Sequence, residues 1–214
     1  MLISYGFEDA TIEVTHTPSK VLRRLSKKTF DPTKINVVFA SWNNSEPNEL
    51  HDRGILYLID MLAKNPEFSL TIPLRDSKTK EFWQVAKQKN VSDRISLINI
   101  ESSDELEKMF DESDLVAFVA QDRVVKDVPN SLIDGLAYGK PIMISDALDF
   151  YTTVDEQGIG YVIKVGEKAK RIKITIEEYK VMSKKAYAYS AKHAPDLYQK
   201  SATNYEVRNE NSHN

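Results

Sequence analysis

The sequence predicts an α/β fold: a Rossmann-like, doubly wound parallel sheet followed by C-terminal helices. Three observations carry that prediction. Short apolar runs recur with little polar alternation, longer segments of helical period separate them, and capping or turn residues mark several of the boundaries.

The apolar runs are Ile35–Ala40 (INVVFA), Ser69–Leu74 (SLTIPL), Ile95–Ile100 (ISLINI), Leu115–Ala120 (LVAFVA), Pro141–Ser145 (PIMIS) and Gly160–Val165 (GYVIKV). Val, Ile and Phe dominate them, as in strands covered on both faces by helices. Between them, Arg53–Lys64 places Ile55, Leu58, Ile59 and Leu62 at helical spacing, and Lys78–Lys89 does the same with Phe82, Val85 and Ala86. Asp104–Phe110 follows Ser103, read as its N-cap, with Leu106 and Phe110 on one face. Ser131–Tyr138 is a short helix with Asn130 or Ser131 as cap, Gly139 as the residue past its end and Pro141 just beyond. Alternation of this kind builds right-handed βαβ units.

The ends differ from the middle. Residues 1–33 are expected to be an N-terminal extension with a weak strand at Thr11–Thr15 and a basic run, Lys20–Lys28, read as the wet side of a helix or a surface for anionic lipid or a partner. Residues 34–165 are the sheet domain. Residues 166–214 are expected to form amphipathic helices, with Ile176, Tyr179, Met182 and Tyr187 as a buried stripe, and a disordered tail.

Composition narrows the function. The 214 residues carry a net charge of -3, which argues against a general nucleic-acid binder. Without cysteine there are no disulfides and no thiolate chemistry, and four scattered histidines make a metal site improbable. No apolar run reaches the roughly 20 residues of a membrane span, and the acidic N-terminus is unlike a signal peptide, so a cytoplasmic location is expected.

The stretch Val125–Ser145, VKDVPNSLIDGLAYGKPIMIS, carries the chemistry. A loop leaves one strand and enters a helix whose first amides and dipole form an anion site, with Asp134 about one turn further in. A capped helix that binds nothing is the plainer reading of the same residues.

This segment resembles the signature of retaining GT-B glycosyltransferases, in particular the family 4-like group that holds many mannosyl- and glucosyltransferases. PNSLIDGLAYGKPIMIS is similar to the family's Glu-Ala-Met-Ala, Gly-x-Pro pattern, and HDRGILYLIDML, FSLTIPLRD, VSDRISLIN, SSDELEKMFDESDLVAFVA and GIGYVI resemble its other motifs in order. The resemblance implies the nucleotide-sugar-binding half of a GT-B fold. It implies transfer of a sugar from a UDP- or GDP-sugar to an unknown acceptor, retaining and metal-independent, with no cofactor beyond the donor. Asp134 stands where a glutamate binds the ribose, Asn130, Ser131 and Leu132 where backbone amides meet the diphosphate, and Arg53 where a lysine neutralises it. The donor sugar's glutamate aligns with Lys126, a reversed charge, with Asp127 beside it. Trp42 is a stacking candidate, and Arg75 follows a strand, where a loop ion pair with Asp76 is the plainer reading. The acceptor half is expected from a partner chain or a second copy of this one. A non-catalytic nucleotide-sugar-binding or regulatory subunit, and a flavodoxin-like interaction module, stay open.

Overall fold

The computed structural model describes residues 19–39, 49–74, 80–122 and 128–194. Six parallel strands form one sheet: β1 (Ile35–Val38), β2 (Phe68–Leu74), β3 (Ile95–Asn99), β4 (Leu115–Phe118), β5 (Ile142–Ser145) and β6 (Gly160–Ile163), in the order β3-β2-β1-β4-β5-β6. Each run predicted as a strand forms one, shifted or trimmed by a residue or two at its ends. The reason is burial: every residue of β4 and β5 is buried, so an apolar run without alternation is the sequence that suits them. Register follows from the pairings Val37↔Leu70, Val37↔Leu115, Val116↔Ile142 and Met143↔Tyr161.

Seven α-helices flank the sheet among the described residues: α1 (Glu49–Asp52), α2 (Ile55–Lys64), α3 (Lys80–Gln88), α4 (Ser103–Glu112), α5 (Asn130–Ala137), α6 (Phe150–Gln157) and α7 (Ile176–Tyr189). The predicted helix Arg53–Lys64 starts later, at Ile55, because Gly54 breaks the chain into a left-handed turn after α1. In α4 the N-cap is Ser102, not Ser103. Ser102 and Glu105 exchange hydrogen bonds as a capping box, a spacing Ser103 would offer only to Leu106. In α5 neither Asn130 nor Ser131 caps. Pro129 occupies that position without a side-chain bond, and Asn130 is already helical. Gly139 ends α5 as expected, at φ 69°. Helix α6 has no counterpart among the predicted segments; its buried side is only Phe150 and Val154.

The flanks join the same core. Val21, Phe30, Ile174, Tyr179 and Ala186 are buried in one cluster with the sheet, and Phe30 stacks on Tyr179 with ring centres 4.0 Å apart. The buried line of α7 runs through Tyr179 and Ala186, whereas Ile176 is 43% exposed, so the stripe is rotated from the predicted one. Residues 20–28 are irregular, not helical. Their backbone donors reach the open end of α5: Arg24 N–H to the Ala137 carbonyl at 2.9 Å and Ser26 N–H to that of Tyr138 at 3.2 Å. Lys28 then pairs with the buried Asp114 at 2.6 Å, and the same carboxylate accepts the Asn36 amide at 2.7 Å. Thr11–Thr15 and the tail lie outside the described residues.

Two polar anchors secure the frame. The Arg94 guanidinium donates to the carbonyls of Leu62, Asn65 and Phe68 at 2.8–3.0 Å, closing the carboxyl end of α2. The Lys140 ammonium, 1% exposed, donates to the carbonyls of Asp111 and Ser113 at 3.0 and 2.7 Å. Burial pulls its pKa down to about 8. Among the described residues, no helix is long and apolar enough to cross a membrane.

Candidate functional site

The sheet reverses its winding between β1 and β4. Strands β2 and β3 extend on one side of β1, and β5 and β6 on the other side of β4. In open α/β sheets the crevice beyond the carboxyl ends of such a strand pair is where ligands bind. Phe39 and Phe118, which follow β1 and end β4, stack across this boundary with centres 5.8 Å apart.

Three pieces of chain converge there. The first is the α1–α2 junction. Gly54 has φ 80°, accepts the Leu58 amide through its carbonyl, and lies so close to the chain after β4 that a Cβ would stand 1.9 Å from the Val119 carbonyl oxygen. Only glycine allows that approach. The second is the exit from β4, where the Gln121 amide donates to the Asp52 carbonyl at 2.8 Å and the Gln121 side chain donates to Val119 at 2.9 Å. These contacts fix half-buried Arg53, between Asp52 and Gly54, beside the β4 exit. The third is the start of α5, which returns toward the sheet after Pro129. Gly135 lets this helix lie close on β4, since a Cβ there would be 2.4 Å from the Val116 side chain.

The sequence-predicted residues divide accordingly. Arg53 and the first turn of α5, with Asn130, Ser131 and Leu132, belong to elements that flank this boundary. The Leu132 amide donates to the Pro129 carbonyl at 3.0 Å, closing the first turn tightly. Asp134 is 4% exposed. Its Oδ1 accepts the Lys20 backbone amide at 2.7 Å and lies 3.0 Å from the Ser19 hydroxyl. That hydroxyl is also 3.0 Å from the Val21 carbonyl, so its single proton has two acceptors in reach. Trp42, Arg75, Lys126 and Asp127 lie outside the described residues.

Ser19 and Lys20 are the contacts that sequence reasoning missed. They stand more than a hundred positions from Asp134, and no local pattern announces the pairing. A separate groove of about 430 Å³ is lined by Gly158, Tyr161, Val181, Met182 and Lys185, between β6 and α7, two strands away from the β1–β4 boundary.

No protein-family model matches the sequence, and no curated protein matches it either. Solved structures do match in fold. Sucrose-phosphate synthase from Thermosynechococcus elongatus superposes with a TM-score of 0.65 at 13% identity, over 82% of this chain and 46% of that one. Anabaena HepE in complex with UDP-glucose gives 0.64 at 16% identity, over 81% and 49%. WaaG, a glycosyltransferase involved in lipopolysaccharide biosynthesis, gives 0.56 at 14%, over 88% and 50%. The chain spans about half the length of these structures. What these structures share with the chain is the fold, an open, parallel, Rossmann-like α/β sheet flanked by helices.

Proposed function

We propose that the chain binds a nucleotide-diphosphate sugar and supplies the donor side of a glycosyltransferase. The observation that carries this reading is the Arg53–Gly54 junction clamped against the exit of β4, the strand that leads into α5, at the winding reversal of a sheet shared with glycosyltransferase structures, one of which holds UDP-glucose. In this reading the positive end of the α5 dipole and the amides of its first turn face the diphosphate. Arg53 adds a fixed positive charge in bidentate geometry. The Asp134 carboxylate, oriented by Ser19 and Lys20, accepts from the ribose hydroxyls, since a carboxylate offers about four acceptor positions.

Transfer would break the bond between the anomeric carbon and the β-phosphate oxygen and form one to the acceptor oxygen. The acceptor's proton departs to the medium or to the leaving nucleoside diphosphate, and that leaving group is stabilised by the amides and Arg53. The retaining, metal-independent course, the UDP or GDP preference, and the roles of Lys126, Asp127, Trp42 and Arg75 around the sugar belong to the same proposal. So does an acceptor half contributed by a partner chain or a second copy. The test is a thermal-shift panel of UDP, GDP and their sugars. A rise in Tm that disappears in Arg53→Ala supports the site, and no rise with any donor overturns it.

A second reading is favoured by one sequence feature, the cationic Lys126 where the resemblance calls for a glutamate. The chain would then bind the donor without turning it over, as a regulatory subunit. Calorimetric binding together with no transfer or hydrolysis of labelled donor, and turnover restored by a second protein, selects it.

A further inference from the structure

The segment from Lys20 to Lys28 holds five cations and no acid in nine residues, on a chain whose net charge is -3. Two of its residues are large apolar side chains turned outward: Leu22 is 74% exposed and Leu25 48%. The segment is not a loose arm. Val21 is buried, the amides of Arg24 and Ser26 bond to the end of α5, and the Arg23 guanidinium donates to the Tyr187 carbonyl and the Ser190 hydroxyl, each at 2.9 Å. Lys28 is fastened to Asp114. Leu22 is therefore held out from the body by neighbours that are tied in, and Leu25, whose Cδ1 rests against Gly139, still leaves about half of its surface uncovered beside it.

The surrounding charges decide what would cover them. Asp111 reaches Arg24 only at 3.9 Å, Glu112 pairs with Lys108, and Asp114 is buried beneath Lys28. Among the described residues, Lys20 and Lys27 are exposed and have no ion-pair partner. Protein interfaces are depleted of lysine at their cores. Leucines ringed by exposed cations suit a bilayer boundary, where apolar side chains enter the acyl region and lysines meet anionic headgroups.

We propose that the exposed face of the 20–28 segment docks on an anionic lipid bilayer. The proposal does not rest on donor binding. It does place the docking surface next to Asp134, because the Lys20 amide that begins the segment is bonded to that carboxylate.

The experiment is co-sedimentation of the full chain with phosphatidylcholine vesicles, with and without about one-third phosphatidylglycerol. Binding is expected only to the anionic vesicles and should weaken as salt is raised. Lys20→Glu with Lys27→Glu should lower partitioning about twenty-five-fold or more, from roughly five-fold per lost cation. Leu22→Ser with Leu25→Ser should abolish it, while Val181→Ser, an exposed apolar residue on α7, should leave it unchanged. Circular dichroism melts check that each variant is folded. If the leucine pair does not fold, the lysine pair decides the matter alone. The proposal is overturned by no binding to anionic vesicles, or by leucine and lysine variants that bind as well as the parent chain. It is overturned too if the leucine pair changes the oligomeric state in light scattering without affecting vesicles, which would assign the patch to a protein partner.

Discussion

Replacing Gly54 by alanine tests how tightly the α1–α2 junction is pressed onto the exit of β4. Two separable penalties apply. At φ 80° an alanine pays for the left-handed backbone, about 1–2 kcal/mol. Its Cβ would also stand 1.9 Å from the Val119 carbonyl oxygen and 2.5 Å from the carbonyl carbon. It must retreat by about 1 Å to reach even the shortest tolerable separation, and the obstacle is backbone that cannot rotate away; such overpacking costs roughly 1–3 kcal/mol. The total of about 2–5 kcal/mol is a large part of the roughly 5–15 kcal/mol of an ordinary domain. Gly166 supplies the control, with φ 78° and nothing within 4 Å of the point where a methyl would stand. Gly166→Ala should therefore carry the backbone penalty alone. Urea unfolding at about 25 °C, followed by far-UV circular dichroism with slopes compared, measures both. Losses equal within about 0.5 kcal/mol would refute the close approach as a constraint on the site.

Other outcomes follow from the same structure. Arg94→Ala should lower stability by about 2–4 kcal/mol in urea titration, because three carbonyls at the end of α2 lose a charged donor; Arg94→Lys should recover only part, since one ammonium cannot span them. Asp134→Ala should weaken UDP or GDP binding by ~1–3 kcal/mol in calorimetry, and unchanged affinity would remove it from the donor site. Lys140 has a folded pKa of about 8, below its ordinary 10.5, so above about pH 8 the unfolded chain binds the extra proton and stability should rise with pH. Between about pH 8 and 9.5, below tyrosine ionisation, the native protein should gain about 1–2 kcal/mol relative to Lys140→Met in paired urea titrations. A flat difference would show that the buried amine does not titrate there.

The middle of the sheet was legible because β4 and β5 are buried on both faces, which forces the runs LVAF and IMIS, whereas the edge strands β3 and β6 are only partly buried and were legible from their Ile and Val content. The end of α5 was legible too, since Gly139 and Pro141 each have a specific backbone reason to stand where they do. The errors have local causes. The capping box at Ser102 was available in the spacing to Glu105 but yielded to the adjacent serine. Helix α6 hid because FYTTVDEQ carries two threonines and a valine, and only two of its residues are buried. The basic run resembled a helix face because charge pattern does not show that its amides would be taken by the end of a distant helix. The site was half visible. The turn into α5 and the Arg-Gly pair are local features, whereas the contacts that orient Asp134 come from residues far away in the chain and exist only once the fold has closed.

The Ser19 amide meets the His193 carbonyl at 2.8 Å, so the stretch before β1 and the stretch after α7 are fastened to each other as well as to the core. Loosening either one withdraws a backbone bond from the other, and the two flanks of the sheet should therefore yield together.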